Sequence, residues 1–306
     1  MRADWVAASV RARAMAQRRI GAGSCRELAA LPDLPQAVSA LAESVYGPEL
    51  AGARTLGAAQ LATRHTVLWQ LRVLAGWLPA GGTPLVRAAA ARFEADNIIA
   101  LAAALDSGAA SAAEFDLGGL ATAWPRLRTA DSPETLAGML AASPWGEAGP
   151  APSLPDVLTA VWLRRLANAA AAARPWAVAA AVLLVARLLS VNAGRPADRL
   201  VSLLRPLIGT GWAGAGSLPE LAAALSPAAG RALVGVQDPR DLWQAEAGLA
   251  ARVETDGFTL LRGGLPGPDV VLGAVAVLAA DAWRVRAALA AAATGTGGSE
   301  VLDAVA

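Results

Sequence analysis

Apolar residues recur along this chain at helical spacing almost throughout, and the alternation of β-branched and aromatic residues that marks strands is nearly absent. Residues 4–20 read as a first helix, with Trp5, Val6, Val10, Ala14 and Met15 near one side and Arg11, Arg13, Arg18 and Arg19 displayed elsewhere. Gly21-Ala22-Gly23 ends it, and Ser24 with Glu27 forms a capping box for a short helix over 25–31. A helix over 34–41, a loop at Tyr46-Gly47-Pro48, a long helix over 56–78, a turn at 80–84 and a helix over 85–106 follow. Proline and glycine interrupt the pattern at 143–156 and again at 209–219. The expected fold class is all-α.

The helices repeat. Leu34-Pro35-Gln36-Ala37-Val38-Ser39-Ala40-Leu41 matches Leu218-Pro219-Glu220-Leu221-Ala222-Ala223-Ala224-Leu225, and Ser132-Pro133-Glu134-Thr135-Leu136 opens a similar short helix between them. The first two copies in chain order also share an ending, Leu-Ala-x-Ser-x-aromatic-Gly, at 41–47 and 140–146. A second element follows each: Glu94 to Gly108 has the frame of Asp281 to Gly295, an acidic residue opening a helical run that closes at a glycine. The middle copy, Val182 to Gly194, lacks the acid. This spacing divides the chain into three similar helical domains, 1–108, 109–195 and 196–306.

Composition narrows the function classes. Of 306 residues, 55% are hydrophobic and 17% charged, which is enough apolar material for two or three packed domains. The cations are all arginine; with abundant alanine and glycine this indicates GC-rich coding, so an arginine alone is weak evidence of anion recognition. A net charge of +1 gives no global field for nucleic acid. Mean hydropathy is +0.43, yet the most apolar runs, Pro175 to Ala186 and Val270 to Ala280, are about a dozen residues each, short of the ~20 a membrane span needs. Both read as buried core helices. The start of the chain has the look of an arginine-rich helix and not of a signal peptide, and the single Cys25 leaves no internal disulfide framework, so the cytoplasm is the expected compartment.

Candidate chemistry is sparse. His65 has no second histidine or cysteine pair to complete a metal site, and the chain contains no lysine for a Walker-type loop or a Schiff base. Gly209-Thr210-Gly211-Trp212-Ala213-Gly214 fits Gly-x-Gly-x-x-Gly in form, but it follows what reads as the end of a helix, and dinucleotide binding requires a strand there. No catalytic, cofactor-binding or metal-binding residue is assigned, and no nucleic-acid or small-molecule partner is expected. Of the ten tryptophans, Trp69, Trp77, Trp162, Trp176, Trp243 and Trp283 fall in predicted helices, and Trp124, Trp145 and Trp212 at loops or helix ends; all are assigned first to the core.

The opening Ala3-Asp4-Trp5-Val6-Ala7-Ala8-Ser9-Val10-Arg11-Ala12-Arg13-Ala14-Met15, the ending Ser44-Val45-Tyr46-Gly47 and the stretch Phe93-Glu94-Ala95-Asp96-Asn97-Ile98-Ile99 resemble the C subunit of prokaryotic V-type (archaeal-type) ATPases, called the d subunit in eukaryotes. The resemblance runs in order along nearly the whole chain. It departs from the family where the third unit lacks the Ser-x-aromatic-Gly ending, and where arginine at 187, 284 and 286 stands in a chain without the family's lysines. It implies three similar helical domains in a funnel-like pseudo-threefold arrangement, and a non-catalytic central-stalk connector of a rotary ATPase. Its partners would be the membrane proteolipid ring and the central-shaft subunits, at the cytoplasmic face of the membrane. Arg126, Arg128, Arg164, Arg165 and Arg195 are candidates for gripping a partner through their planar guanidinium groups. The alternative is a soluble all-helical scaffold or regulatory protein unrelated to the motor.

Overall fold

The computed structural model describes residues 3–108, 114–147, 149, 153–191 and 196–303. Its α-helices are α1 (Val6–Gln17), α2 (Ala22–Ala29), α3 (Leu34–Ala40), α4 (Gly47–Leu50), α5 (Leu56–Ala75), α6 (Thr83–Ser107), α7 (Trp124–Leu127) and α8 (Pro133–Ala141). They continue as α9 (Leu154–Ala169), α10 (Arg174–Val191), α11 (Asp198–Ile208), α12 (Leu218–Ala224), α13 (Pro227–Gly230), α14 (Leu242–Arg262), α15 (Pro268–Thr294) and α16 (Glu300–Asp303). No strand occurs among the described residues, so the chain is all-α. By compactness it forms two units, Met1–Thr83 with Glu246–Ala306, and Pro84–Ala245. The first joins the two ends of the sequence, a grouping that chain order does not suggest.

In the first unit α15 is the central helix and packs against α1, α2, α3, α5 and α16. Val271, Ala274, Val277, Val285, Ala288 and Leu289 on α15 are fully buried. Helix α14 approaches it so closely that a Cβ on Gly273 would stand 2.6 Å from the Gly257 carbonyl oxygen. Helix α1 is fixed by Arg13, which donates from Nε to the Leu261 carbonyl (3.1 Å) and from Nη2 to the Gly263 carbonyl (2.8 Å). It buries Ala8, Ser9, Ala12, Met15 and Ala16, whereas Val6 and Val10 face solvent. Of the apolar side read from the sequence only Met15 is buried: alanine and serine allow the closer approach to α15.

In the second unit α9 packs on α10 and α11, and α10 is also covered by α12 and α13. Leu158, Leu163, Ala177, Val182, Val185, Leu204 and Leu221 build this core. One helical stretch among the described residues, Ala171–Ser190, is long and apolar enough to cross a membrane, with mean hydropathy 1.6; half of it is buried in the fold. The helix is longer than the apolar run within it because Arg174 and Arg187 are accommodated in its turns.

Several local expectations need correction. The Ser24–Glu27 capping box does not form: α2 starts at Ala22, after Gly21 at φ +84°, and Ser24 lies inside it. Gly47-Pro48 opens the one-turn helix α4, with proline in a first-turn position where no N–H is needed. Glu94 and Asp281 are mid-helix and do not begin their helices, although both helices do close at left-handed glycines, Gly108 (φ +68°) and Gly295 (φ +64°). Gly194, the third such glycine expected, lies outside the described residues. Ahead of the Gly-x-Gly-x-x-Gly stretch is helix α11, with no strand, and Gly211–Gly214 is itself a short 3-10 turn with Trp212 buried.

Candidate functional site

Three short helices share one register. Asp33, Ser132 and Ser217 cap α3, α8 and α12, accepting from the N–H of Gln36 (2.8 Å), Thr135 (3.1 Å) and Glu220 (3.4 Å). Each has proline in its first turn. Four residues after the cap stand Ala37, Leu136 and Leu221, and eight after it Leu41, Leu140 and Leu225; all six are buried. An apolar side chain one and two turns along is what fastens so short a helix, since helices of this length are not stable alone.

After the first two helices the chain makes the same turn twice. Ser44 Oγ donates to the Leu41 carbonyl (2.6 Å) and accepts from Tyr46 N–H (3.1 Å). Ser143 Oγ donates to the Leu140 carbonyl (2.8 Å) and accepts from Trp145 N–H (3.1 Å). Each serine thereby drives the following aromatic ring inward, and Tyr46 and Trp145 are buried. The following glycines have different reasons: a Cβ on Gly47 would sit 1.9 Å from the Ala42 carbonyl oxygen, while Gly146 has φ +72°. In the third copy Ser226-Pro227 follows Leu225, and Ser226 caps α13.

Each of the two units also holds a buried carboxylate that fastens the segment before a short helix. In the first, Asp281 accepts from Ile20 N–H (3.1 Å), Gly21 N–H (2.8 Å) and the Tyr46 hydroxyl (2.9 Å). One turn along α15, buried Arg284 pairs with Glu254 at 2.6 Å. Burial, then the Asp281 charge, pushes the Cys25 thiol from 9.0 up to about 12, and burial with Asp281 raises the Tyr46 hydroxyl well above its ordinary value.

In the second unit Glu94 Oε1 accepts from the N–H groups of Thr122 (2.9 Å), Ala123 (2.6 Å) and Trp124 (2.7 Å), and its Oε2 accepts from the Thr122 hydroxyl. Asn97 exchanges two hydrogen bonds with the Phe115 backbone, 2.9 Å from Nδ2 to the carbonyl and 2.8 Å from N–H to Oδ1. Phe93 packs edge-on against the Phe115 ring at 5.1 Å. Phe93, Glu94 and Asn97, one turn apart on α6, thus form the face that holds residues 115–124. Asp281 accepts from three protein donors and Glu94 from four, five of the seven being backbone N–H groups, so their geometry suits fastening of backbone.

The arginines singled out from sequence occupy different settings. Arg126 on α7 is exposed. Arg128 pairs with Glu114 at 3.5 Å, both partly exposed, a contact worth about 0–1 kcal/mol. Arg164 on α9 is half-buried, and its neighbour Arg165 lies 5.0 Å over the Trp145 ring, where burial lowers its guanidinium pKa. Arg195 lies outside the described residues. No two of the described four share a partner. Sequence reasoning overlooked Asp281, Glu94 and Tyr46 as the residues that fix each unit, although all three stand in the repeated motifs. The core assignment of the tryptophans holds at Trp124, Trp145 and Trp212, which are buried, and fails at Trp69 and Trp77, which are 50% exposed.

Among the described residues no three His, Cys, Asp or Glu side chains are grouped to hold a metal ion. A shallow groove of about 520 Å³ runs beside α3 and α4, past Val38, Ala42, Pro48 and Arg54. Compared with models of known protein families the chain matches none, and no curated protein matches it.

Proposed function

We propose that this protein is a non-catalytic connector in the central stalk of a rotary V-type ATPase, coupling a membrane proteolipid ring to the central shaft. In this reading its three similar helical segments are arranged as a funnel about a pseudo-threefold axis, at the cytoplasmic face of the membrane. The observation that carries the proposal is the repeated unit. Of the stretches that resemble the V-type ATPase connector family, residues 44–47 build the serine turn with its buried aromatic, and residues 93–99 supply Glu94, the carboxylate that fastens the backbone of 122–124. A part that transmits torque must resist internal deformation, and close-packed helices tied by buried hydrogen bonds supply that resistance.

The test is affinity purification of the tagged protein from detergent-solubilised membranes, with mass spectrometry of what accompanies it. Recovery of a proteolipid together with shaft subunits is the expected result. A protein recovered alone, from cells shown to contain the ATPase head, overturns the reading and favours a helical scaffold with other partners.

A further inference from the structure

Among the described residues of the second unit, every buried side-chain nitrogen or oxygen left without a hydrogen-bond partner is an N–H donor: Arg87 Nε, Trp145 Nε1, Trp162 Nε1 and Arg165 Nη1. They lie on α6, on α9 and in the serine turn at 143–146. Arg92 on α6 donates to the Thr159 hydroxyl on α9 (2.9 Å) and lies 5.8 Å over the Trp162 ring, so the two helices meet there. Trp162 and Arg165, three residues apart, share one face of α9. Arg165 in turn lies 5.0 Å over the ring of Trp145, which is 1% exposed. Two charges on α6 act on Arg165: burial lowers its pKa, Glu94 opposes that and Arg87 adds to it.

The other groups here are already engaged. Arg87 donates from Nη2 to the Gly119 carbonyl (3.2 Å), Arg92 is taken up by Thr159 and Asp96, and both oxygens of Glu94 accept from residues 122–124. Arg165 makes no hydrogen bond or ion pair among the described residues. A buried donor without an acceptor costs free energy, and native folds leave few of them. Indole and guanidinium nitrogens donate and cannot accept, so the matching ligand carries acceptors, and the two guanidiniums favour negative charge on it. We infer that the α6–α9 face of the second unit binds a small oxyanion, a carboxylate or phosphate group, held by Arg165 Nη1 and Trp145 Nε1 with Arg87 and Trp162 beside them. Arg165 is only half-buried, so the site opens to solvent on its side. The inference stands apart from the connector reading, because it concerns a small anion within one unit and requires no motor subunit.

The full chain is titrated with sodium phosphate and, separately, with sodium acetate, each against sodium chloride at matched ionic strength, by isothermal calorimetry and melting temperature. Low concentrations are used, below those at which phosphate stabilises proteins generally by exclusion from their surface. The expected result is saturable binding of phosphate or acetate and none of chloride, the tighter of the two identifying the group. Arg165→Gln weakens that binding by about tenfold or more, and Trp145→Phe, which keeps an aromatic ring but removes Nε1, weakens it as well. Arg205→Gln, at an exposed arginine of the same unit, leaves it unchanged. Where Trp145→Phe fails to fold, Arg165→Gln at its half-buried position carries the test. An equal response to the three salts, binding unaffected by Arg165→Gln, or an equal loss in Arg205→Gln overturns the inference and leaves water as the partner of these donors.

Discussion

Asp281 accepts from two backbone N–H groups and the Tyr46 hydroxyl, and without that hydroxyl its buried Oδ2 keeps only the longer bond from Ile20 N–H. Tyr46→Phe is expected to lower unfolding free energy by about 1–3 kcal/mol, and Asp281→Ala, which strands three donors, by about 3 kcal/mol or more, both measured by urea denaturation. Cys25 gives a pH signature at the same place. Its pKa is raised in the folded state, so above pH 9 the unfolded chain has lost a proton that the folded chain keeps. Stability contributed by this group is complete below pH 9.0 and is lost as pH rises towards about 12. Cys25→Ala should flatten the alkaline fall in stability, read from melting temperatures between pH 8 and 11, on the order of the window these values set. At the residue scale the sequence reading placed Glu94 and Asp281 at helix starts, and the structure puts both mid-helix. An acid inside an alanine-rich helix resembles a helix start until a distant backbone, such as Ile20 and Gly21, comes to meet it.

For single elements, local signals and close approach act on separate positions. Ser132 and Asp33 are legible as caps because a short polar side chain followed by proline suits a helix start. Ser132→Ala is expected to cost about 1 kcal/mol, measured by thermal or urea unfolding. Gly273 is different. Within an apolar helix nothing marks it out, yet its new methyl group in Gly273→Ala would stand 2.6 Å from the Gly257 carbonyl and push α14 from α15. A loss of about 1–3 kcal/mol is expected from that overpacking, although alanine is the better helix former. The failed capping box belongs here too: Ser24 and Glu27 have the right spacing, but the bonds from Ile20 and Gly21 to Asp281 let the helix begin earlier, at Ala22.

At the scale of the whole molecule, the proposed role makes the arginines of the second unit testable without disturbing its core. Arg126→Glu with Arg128→Glu changes exposed side chains and should leave the melting temperature unchanged within a few degrees. If these arginines grip the shaft, the pair should reduce co-purified shaft subunits several-fold while leaving the proteolipid in place. Unchanged recovery removes them from the interface and directs attention to Arg164 and Arg165. Glu94→Gln is the contrasting variant: it leaves the exposed arginines untouched but weakens the fastening of Thr122, Ala123 and Trp124, so its effect should appear first as lost stability.

The sequence by itself determined the all-helical class, the three capped short helices and the twofold recurrence of the serine turn, because each depends on propensity and on bonds between residues a few positions apart. Only the tertiary structure decided that the first and last parts of the chain form one compact unit, that Asp281 receives Tyr46, and that Val6, Val10, Trp69 and Trp77 stay outside while loop tryptophans are buried. Those outcomes turn on which surfaces come within packing distance. In a chain so rich in alanine, apolar periodicity alone leaves several faces equally suited to burial, and small residues that permit close approach win over larger ones.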